Sequence, residues 1–244
     1  MAEELSSKES IKRILTDLKN LDTKLLESNN IYYYHDEENI YKGYAMIIGP
    51  KDTLYYGGYY FFEFTFSPYY PFKPPVVKFK TGDGKTRFHP NLYRDGKVCL
   101  SILNTWRGES WSSCQSITTV LLQLVVLLDK EPFLHEPGIT NQHKDYDSYH
   151  KIVFYKNIKH SIMYYLNKER IPENFEMFYD IIIDKFKMNI DDILVELNKT
   201  ISTNKISLNE HMLMTNVYKM TFRINYTMLL NDLEYMKKRL KDKN

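Results

Sequence analysis

The sequence predicts an α+β fold: an N-terminal helix, a four-stranded antiparallel meander, an irregular loop region, further helices and a helical C-terminal extension. Three observations carry this. Apolar residues recur at helical spacing near the start of the chain. Between Ile31 and Lys80 the pattern changes to runs of Tyr, Phe, Ile and Val broken by turn signals. From Ile117 onward helical spacing returns and persists to the last residues.

Ile11, Ile14, Leu15, Leu18, Leu21 and Leu25 lie at helical spacing with Lys12, Arg13, Lys19 and Lys24 between them, which predicts one amphipathic first helix. The turn signals "GPKD" (49–52), "GG" (57–58) and "SPYYPFKPP" (67–75) then divide about four strands. A long irregular stretch, 81–116, holds both cysteines and both tryptophans and leads into an apolar helix from about Ile117 to Leu128. After "DKEPFLHEPG" (129–138), helical periodicity runs from about Gln142 to Leu166. Pro172 suits the first turn of another helix reaching about Lys187, and "SLNE" (207–210) resembles a capping box. Leu229, Leu233, Met236 and Leu240 mark one face of a last helix. A soft boundary near residue 168 divides the chain into 1–168, which carries the reactive loops, and 169–244, the extension.

The 244 residues are 43% hydrophobic, enough for one well-buried core with an accessory region or for two small domains. Thirty-three basic against thirty-one acidic residues leave a formal charge of +2, without the basic footprint of a nucleic-acid binder. Proteins are the expected partners. The opening "MAEELSSKES" has no apolar signal region, and "VLLQLVVLL" (120–128) is too short to cross a bilayer, so no membrane association is expected. Cys99 and Cys114 make no disulfide framework, and their spacing to the seven histidines matches no zinc pattern. Neither a metal nor a cofactor is predicted. The expected location is the cytoplasm, with the nucleus as a second candidate.

Cys99 sits in "FHPNLYRDGKVCLSIL" (88–103). Core filler is the commonest use of a buried free thiol, but "RDGK" is turn chemistry and sets this thiol beside a surface loop. His-Pro-Asn makes a rigid bend able to hold the Asn91 carboxamide near the sulfur. An amide donor there suits an oxyanion formed when a nucleophile attacks an acyl group already on the thiol. A thiol that attacks an inert amide needs an adjacent base, and "KVCLSI" supplies none. The local pattern therefore favours an acyl carrier over a protease.

The order of these signals resembles the ubiquitin-conjugating enzyme family over roughly residues 8–166: a basic amphipathic helix, "IIGPKDTLYYGGYYFFEFTF", "YPFKPPVVKF", "FHPN", "VCL", then a tryptophan and "SITTVLLQL". Cys99 follows Asn91 by eight positions, as the family pattern requires. The resemblance implies that an activating enzyme passes the C-terminal carboxyl of ubiquitin or a ubiquitin-like modifier to Cys99 as a thioester, for delivery to a substrate lysine or a ligase. It implies that Asn91 stabilises the oxyanion or the loop and that His89 holds the turn.

The chain also departs from the commonest members. Trp111 follows Cys99 by twelve positions because "NTWRGES" (104–110) is expanded. Ser101 stands where many members carry an acid, which leaves Glu136 of "LHEPG" as the candidate to position an incoming lysine. With the long tail, these departures resemble the Z-type subgroup. By the same resemblance Phe72, Lys73, Ser113 and Cys114 fall at the two ligase-contacting loops, and Lys12 and Arg13 fall where the first helix meets the activating enzyme. Plain structural readings stand beside these: Phe72 packed on its proline-rich turn, Lys12 and Arg13 on a solvated helix face, Cys114 a dispensable loop residue. A catalytically inactive binding module is the alternative function, and a papain-like hydrolase, lacking any "CGSCW"-like stretch, a third.

Overall fold

The computed structural model describes residues 2–203 and 206–241, with side chains for 7–203 and 206–240. The first helix, α1 (Ala2–Lys19), is shorter than its leucine spacing predicts. Asp22 ends the run: its side chain accepts the Leu25 N–H at 3.0 Å and caps a separate short helix, α2 (Thr23–Ser28). Ile14 is fully buried while Leu15 and Leu25 face solvent, so the single expected face is split between two helices.

Strands β1 (Ile31–His35), β2 (Lys42–Ile48), β3 (Tyr59–Thr65) and β4 (Val76–Phe79) form the antiparallel meander, in the order β1-β2-β3-β4. Register pairs Tyr33 with Ala45, Ala45 with Phe62, and Phe62 with Phe79, which puts these side chains on one face. That face, with Ile47, Tyr60 and Phe64, packs into a core shared with α3 (Ile117–Leu127) and α4 (Tyr146–Lys156) through Val120, Leu124, Tyr149 and Ile152. Ser116 opens α3 with a reciprocal capping box to Thr119.

The opposite face of the sheet is equally apolar. Tyr44, Met46, Ile48, Tyr59 and Phe61 point away from the first core into a second one. The chain leaves α4 through a π-helical turn (Asn157–Ile162) and a 3-10 turn (Met163–Leu166), then crosses this face. Phe175 and Phe178, α5 (Tyr179–Thr203) and α6 (Tyr226–Lys241) cover it with Ile182, Phe186, Ile190, Leu197, Leu229 and Leu233. Tyr59 donates its hydroxyl to the Ile182 carbonyl at 2.9 Å, and Tyr60 donates to Asn157 Oδ1 at 2.6 Å. Gly58 makes that approach possible, since a Cβ there would lie 1.9 Å from Asn157 Oδ1.

The extension differs from its sequence reading in two places. Pro172 stands outside α5, which begins at Tyr179 after a 3-10 turn and runs on to Thr203. "SLNE" caps no helix: it leads into a hairpin of β5 (His211–Thr215) and β6 (Met220–Ile224). The burial of 211–215 alternates, a period of two that gives a strand one packed side and one wet side.

The second core predicts that the extension and the sheet unfold together. Phe175 is fully buried, with its ring 5.3 Å from Tyr44 and 5.1 Å from Phe61. Phe175→Ala is expected to cost about 3–5 kcal/mol, and urea denaturation followed by far-UV and tyrosine signals should give one transition at a lower midpoint. Two separated transitions would show that the extension folds independently of the sheet.

Candidate active site

The segment between β4 and α3 has almost no ladder to satisfy its backbone, so side chains hold it. Asn91 and Cys99 bracket each other: the Cys99 N–H donates to the Asn91 carbonyl at 2.8 Å, and Asn91 Nδ2 donates to the Cys99 carbonyl at 2.8 Å. The Asn91 N–H in turn donates to His89 Nδ1 at 2.9 Å. The turn between them needs Gly96, whose φ is +90° and where a Cβ would meet the Phe79 carbonyl oxygen at 2.9 Å. From outside, Arg87 donates Nε to the His89 carbonyl (3.2 Å) and Nη2 to the Pro90 carbonyl (2.6 Å), with its guanidinium 3.4 Å from the Tyr93 ring centroid. Tyr55 and Tyr149 both donate to the Phe88 carbonyl, at 2.7 and 3.0 Å.

On the far side of Cys99, Thr105 accepts the Leu100 N–H at 2.9 Å and donates to the Val98 carbonyl at 2.8 Å. The expanded 104–110 loop rests on Ser101, where a Cβ on Gly108 would lie 3.0 Å from the Ser101 Cβ. Cys99 is 1% exposed, so in this conformation the thiol is covered.

His89 is fully buried. Burial first, and the neighbouring His135 second, lower its imidazole to about 3, so the ring is neutral with Nδ1 as acceptor. Its Nε2 has no hydrogen-bond partner among the described residues. His135, its ring centroid 4.9 Å away, shares a 2.6 Å hydrogen bond with Asp129, which raises it above the ordinary imidazole value. Glu136, the next residue, is half-buried and accepts a 2.5 Å hydrogen bond from the Tyr218 hydroxyl. His89, Asn91 and Cys99 are thus joined by hydrogen bonds, and Glu136 follows His135, whose ring lies beside that of His89.

The remaining candidates gather elsewhere. Phe72 is 70% exposed and Lys73 lies 4.8 Å over the Tyr69 ring, while Ser113 and Cys114 are exposed on the second loop. Trp111 ties the loops by donating Nε1 to the Pro71 carbonyl at 2.6 Å. Arg13 is not displayed on a bare helix face: its guanidinium donates to the carbonyls of Ser113 (2.6 Å) and Gln115 (2.5 Å) and to Asp17 (2.8 Å). Buried Asp17 also accepts from the Tyr70 hydroxyl and the Ile117 N–H, joining α1, the proline-rich turn and α3. Lys12 is exposed. No group of three His, Cys, Asp or Glu side chains among the described residues is arranged to hold a metal, and no described helix is long and apolar enough to cross a membrane.

The family model for ubiquitin-conjugating enzyme matches residues 13–162, more than half of the chain and the whole stretch from His89 to Glu136. The chain belongs to the ubiquitin-conjugating enzyme family. Among its relatives are the ubiquitin-conjugating enzyme E2 Z of Xenopus tropicalis, 37% identical over 159 residues, which cover 64% of this chain and 50% of the relative. The human E2 Z is 43% identical over 127 residues, covering 51% of this chain and 36% of the relative. The human dual E2 ubiquitin-conjugating enzyme/E3 ubiquitin-protein ligase BIRC6 is 31% identical over 218 residues, 82% of this chain but 4% of that protein. The last span is too long to fit within residues 1–168. This chain spans half or less of the length of the E2 Z proteins it matches.

Set in the ubiquitin-conjugating family, the site gains four residues that carry no sequence signal: Arg87 and Thr105, which hold the backbone around Cys99, His135, whose ring lies beside His89, and Tyr218, which holds Glu136. Neutral, buried His89 has a consequence for stability. An imidazole lowered on folding contributes stability that is complete above its unfolded value of 6.5 and is lost as pH falls toward 3. Denaturation in urea should therefore show stability declining below pH 6.5, and His89→Gln should flatten that decline by up to about 1.4 kcal/mol per pH unit. An unchanged slope would mean that His89 is charged in the folded protein.

Proposed function

We propose that this protein accepts ubiquitin or a ubiquitin-like modifier from an activating enzyme as a thioester on Cys99, then transfers it to a substrate lysine or to a ligase. The observation that carries this reading is the double hydrogen bond between Asn91 and Cys99, which holds a carboxamide donor against the cysteine on a turn that is otherwise braced by buried groups. Residues 1–168 act as the catalytic unit and 169–244 as its extension. Phe72, Lys73, Ser113 and Cys114 form the ligase-facing patch and Lys12 the exposed contact for the activating enzyme, with Arg13 shaping that patch from beneath. Substrates and partners are proteins, and the chemistry needs no cofactor or metal on this chain.

In the charging step the Cys99 thiolate attacks the activating enzyme's thioester and that enzyme's thiolate leaves. In the discharge step an amine attacks the carbonyl on Cys99, negative charge gathers on its oxygen, and the Cys99 thiolate departs. Asn91 Nδ2 spends one hydrogen on the Cys99 carbonyl, and its second is free to meet the oxyanion. Glu136 orients the incoming ammonium and takes up its proton. His89, neutral and buried, contributes rigidity to the turn. Because Cys99 is covered, charging requires the chain around it to move aside. The retained thiol within this arrangement favours the enzyme over an inactive binding module, which has no use for it.

Incubation with a panel of activating enzymes, modifiers and ATP is the test. The parent chain should form an adduct lost on adding thiol reductant, Cys99→Ser one that survives reductant, and Cys114→Ser one like the parent. Loss of charging in Cys114→Ser with normal charging in a Cys99 variant would overturn the assignment. Asn91→Ala should slow discharge onto an amine on the order of a hundredfold, and slow charging less. Equal losses in both steps would leave Asn91 a purely structural role.

A further inference from the structure

The hairpin of the C-terminal extension is docked on the active-site wall by more than apolar packing. Asp145, at the start of α4, accepts three hydrogen bonds from its turn: the backbone N–H groups of Asn216 (2.6 Å) and Val217 (2.8 Å) and the Asn216 Nδ2 (3.0 Å). Arg94 donates to the Tyr218 carbonyl at 2.7 Å. The Tyr218 ring lies 5.7 Å from Tyr149, 5.9 Å from Phe133 and 5.3 Å from the Arg87 guanidinium. Arg87 is the residue that holds the His89 and Pro90 carbonyls. The partly buried ring is thus held among Tyr149, Phe133 and Arg87, and its hydroxyl donates to Glu136 Oε2 at 2.5 Å.

We propose that Tyr218 is a positioning residue for discharge: the extension supplies it across the chain to hold the Glu136 carboxylate in the orientation that receives an acceptor lysine. This rests on the reading of Cys99 as the thioester carrier. A half-buried carboxylate on a loop has several rotamers of similar energy, and a single short hydrogen bond from an immobilised donor selects among them. Burial, and then the bond to Glu136, push the Tyr218 phenol up, so it donates as a neutral group throughout the working range. The other Glu136 oxygen is left for the substrate ammonium. The extension is in this way part of the wall that selects the acceptor, and a chain lacking it would carry Glu136 without its partner.

The experiment uses the full chain, charged beforehand on Cys99 and separated from the activating enzyme, with discharge followed onto free lysine and onto hydroxylamine. Hydroxylamine is uncharged near neutral pH and needs no carboxylate to guide it. Tyr218→Phe keeps the ring and removes the hydroxyl. It should slow discharge onto lysine about tenfold, through a raised KM as well as a lower maximal rate, and leave hydroxylamine discharge unchanged. In a Glu136→Gln background the same change should add nothing. Asp145→Asn, which loosens the turn without touching the ring, should reproduce the lysine-selective loss if Tyr218→Phe melts too low to assay. Equal effects on both nucleophiles, no effect on either, or additive losses with Glu136→Gln would overturn the role of Tyr218. A parent chain that forms no reductant-sensitive adduct at Cys99 would instead refute the thioester reading itself.

Discussion

A four-stranded sheet whose middle strands are apolar on both faces needs two covers, and the rest of this molecule follows from that need. β2 and β3 carry Ala45, Ile47, Phe62 and Phe64 toward one side and Tyr44, Met46, Ile48 and Phe61 toward the other. α3 and α4 cover the first face. Left bare, the second would present a continuous patch of large side chains to water, which soluble proteins seldom tolerate. The extension removes that patch. Its course is set at the first step, where Asn157 takes the Tyr60 hydroxyl on Oδ1 and donates Nδ2 to the Tyr56 carbonyl at 3.0 Å, beside a glycine that leaves room for it.

Covering the second face has a consequence on the first. The chain runs along α5, returns through the hairpin and ends in α6, and the hairpin straddles the edge between the two cores. Leu213 and Phe222 pack against both, while Met220 is buried in the first. The hairpin turn therefore lies beside the loop that bears Cys99, where Asp145 and Arg94 hold it. A segment whose main energetic contribution is to a remote apolar surface thereby delivers a tyrosine to the site.

The loop that bears Cys99 illustrates a second principle. A long stretch with few regular elements must still find partners for its peptide groups, and here side chains supplement the backbone bonds: Arg87 and Thr105 for the loop that bears Cys99, Trp111 and Arg13 for the exposed patch. The 104–110 loop itself is exposed, with Gly108 against Ser101.

The sequence by itself determined the meander, the apolar α3 and the reactive turn, because each is specified by neighbours in the chain. Turn residues divide Ile31 to Lys80 into four strands, Ser116 and Thr119 open α3 locally, and His89, Pro90, Asn91 and Cys99 lie within eleven positions of one another. Local spacing misled where a cap or a distant surface outweighed it. Asp22 broke the first helix that the leucines promised, and 207–224 became a loop and hairpin because that segment has an edge to pack along that its own composition does not announce. Glu136 was legible as an acid near the site, but its partner was not. Tyr218 is 82 residues away, one tyrosine among twenty-one, and nothing in its neighbours distinguishes it. Only the tertiary structure could pair them, since the pairing depends on where the extension travels after it covers the second face of the sheet, and that path is set by shape and burial summed over both cores, not by any spacing along the chain.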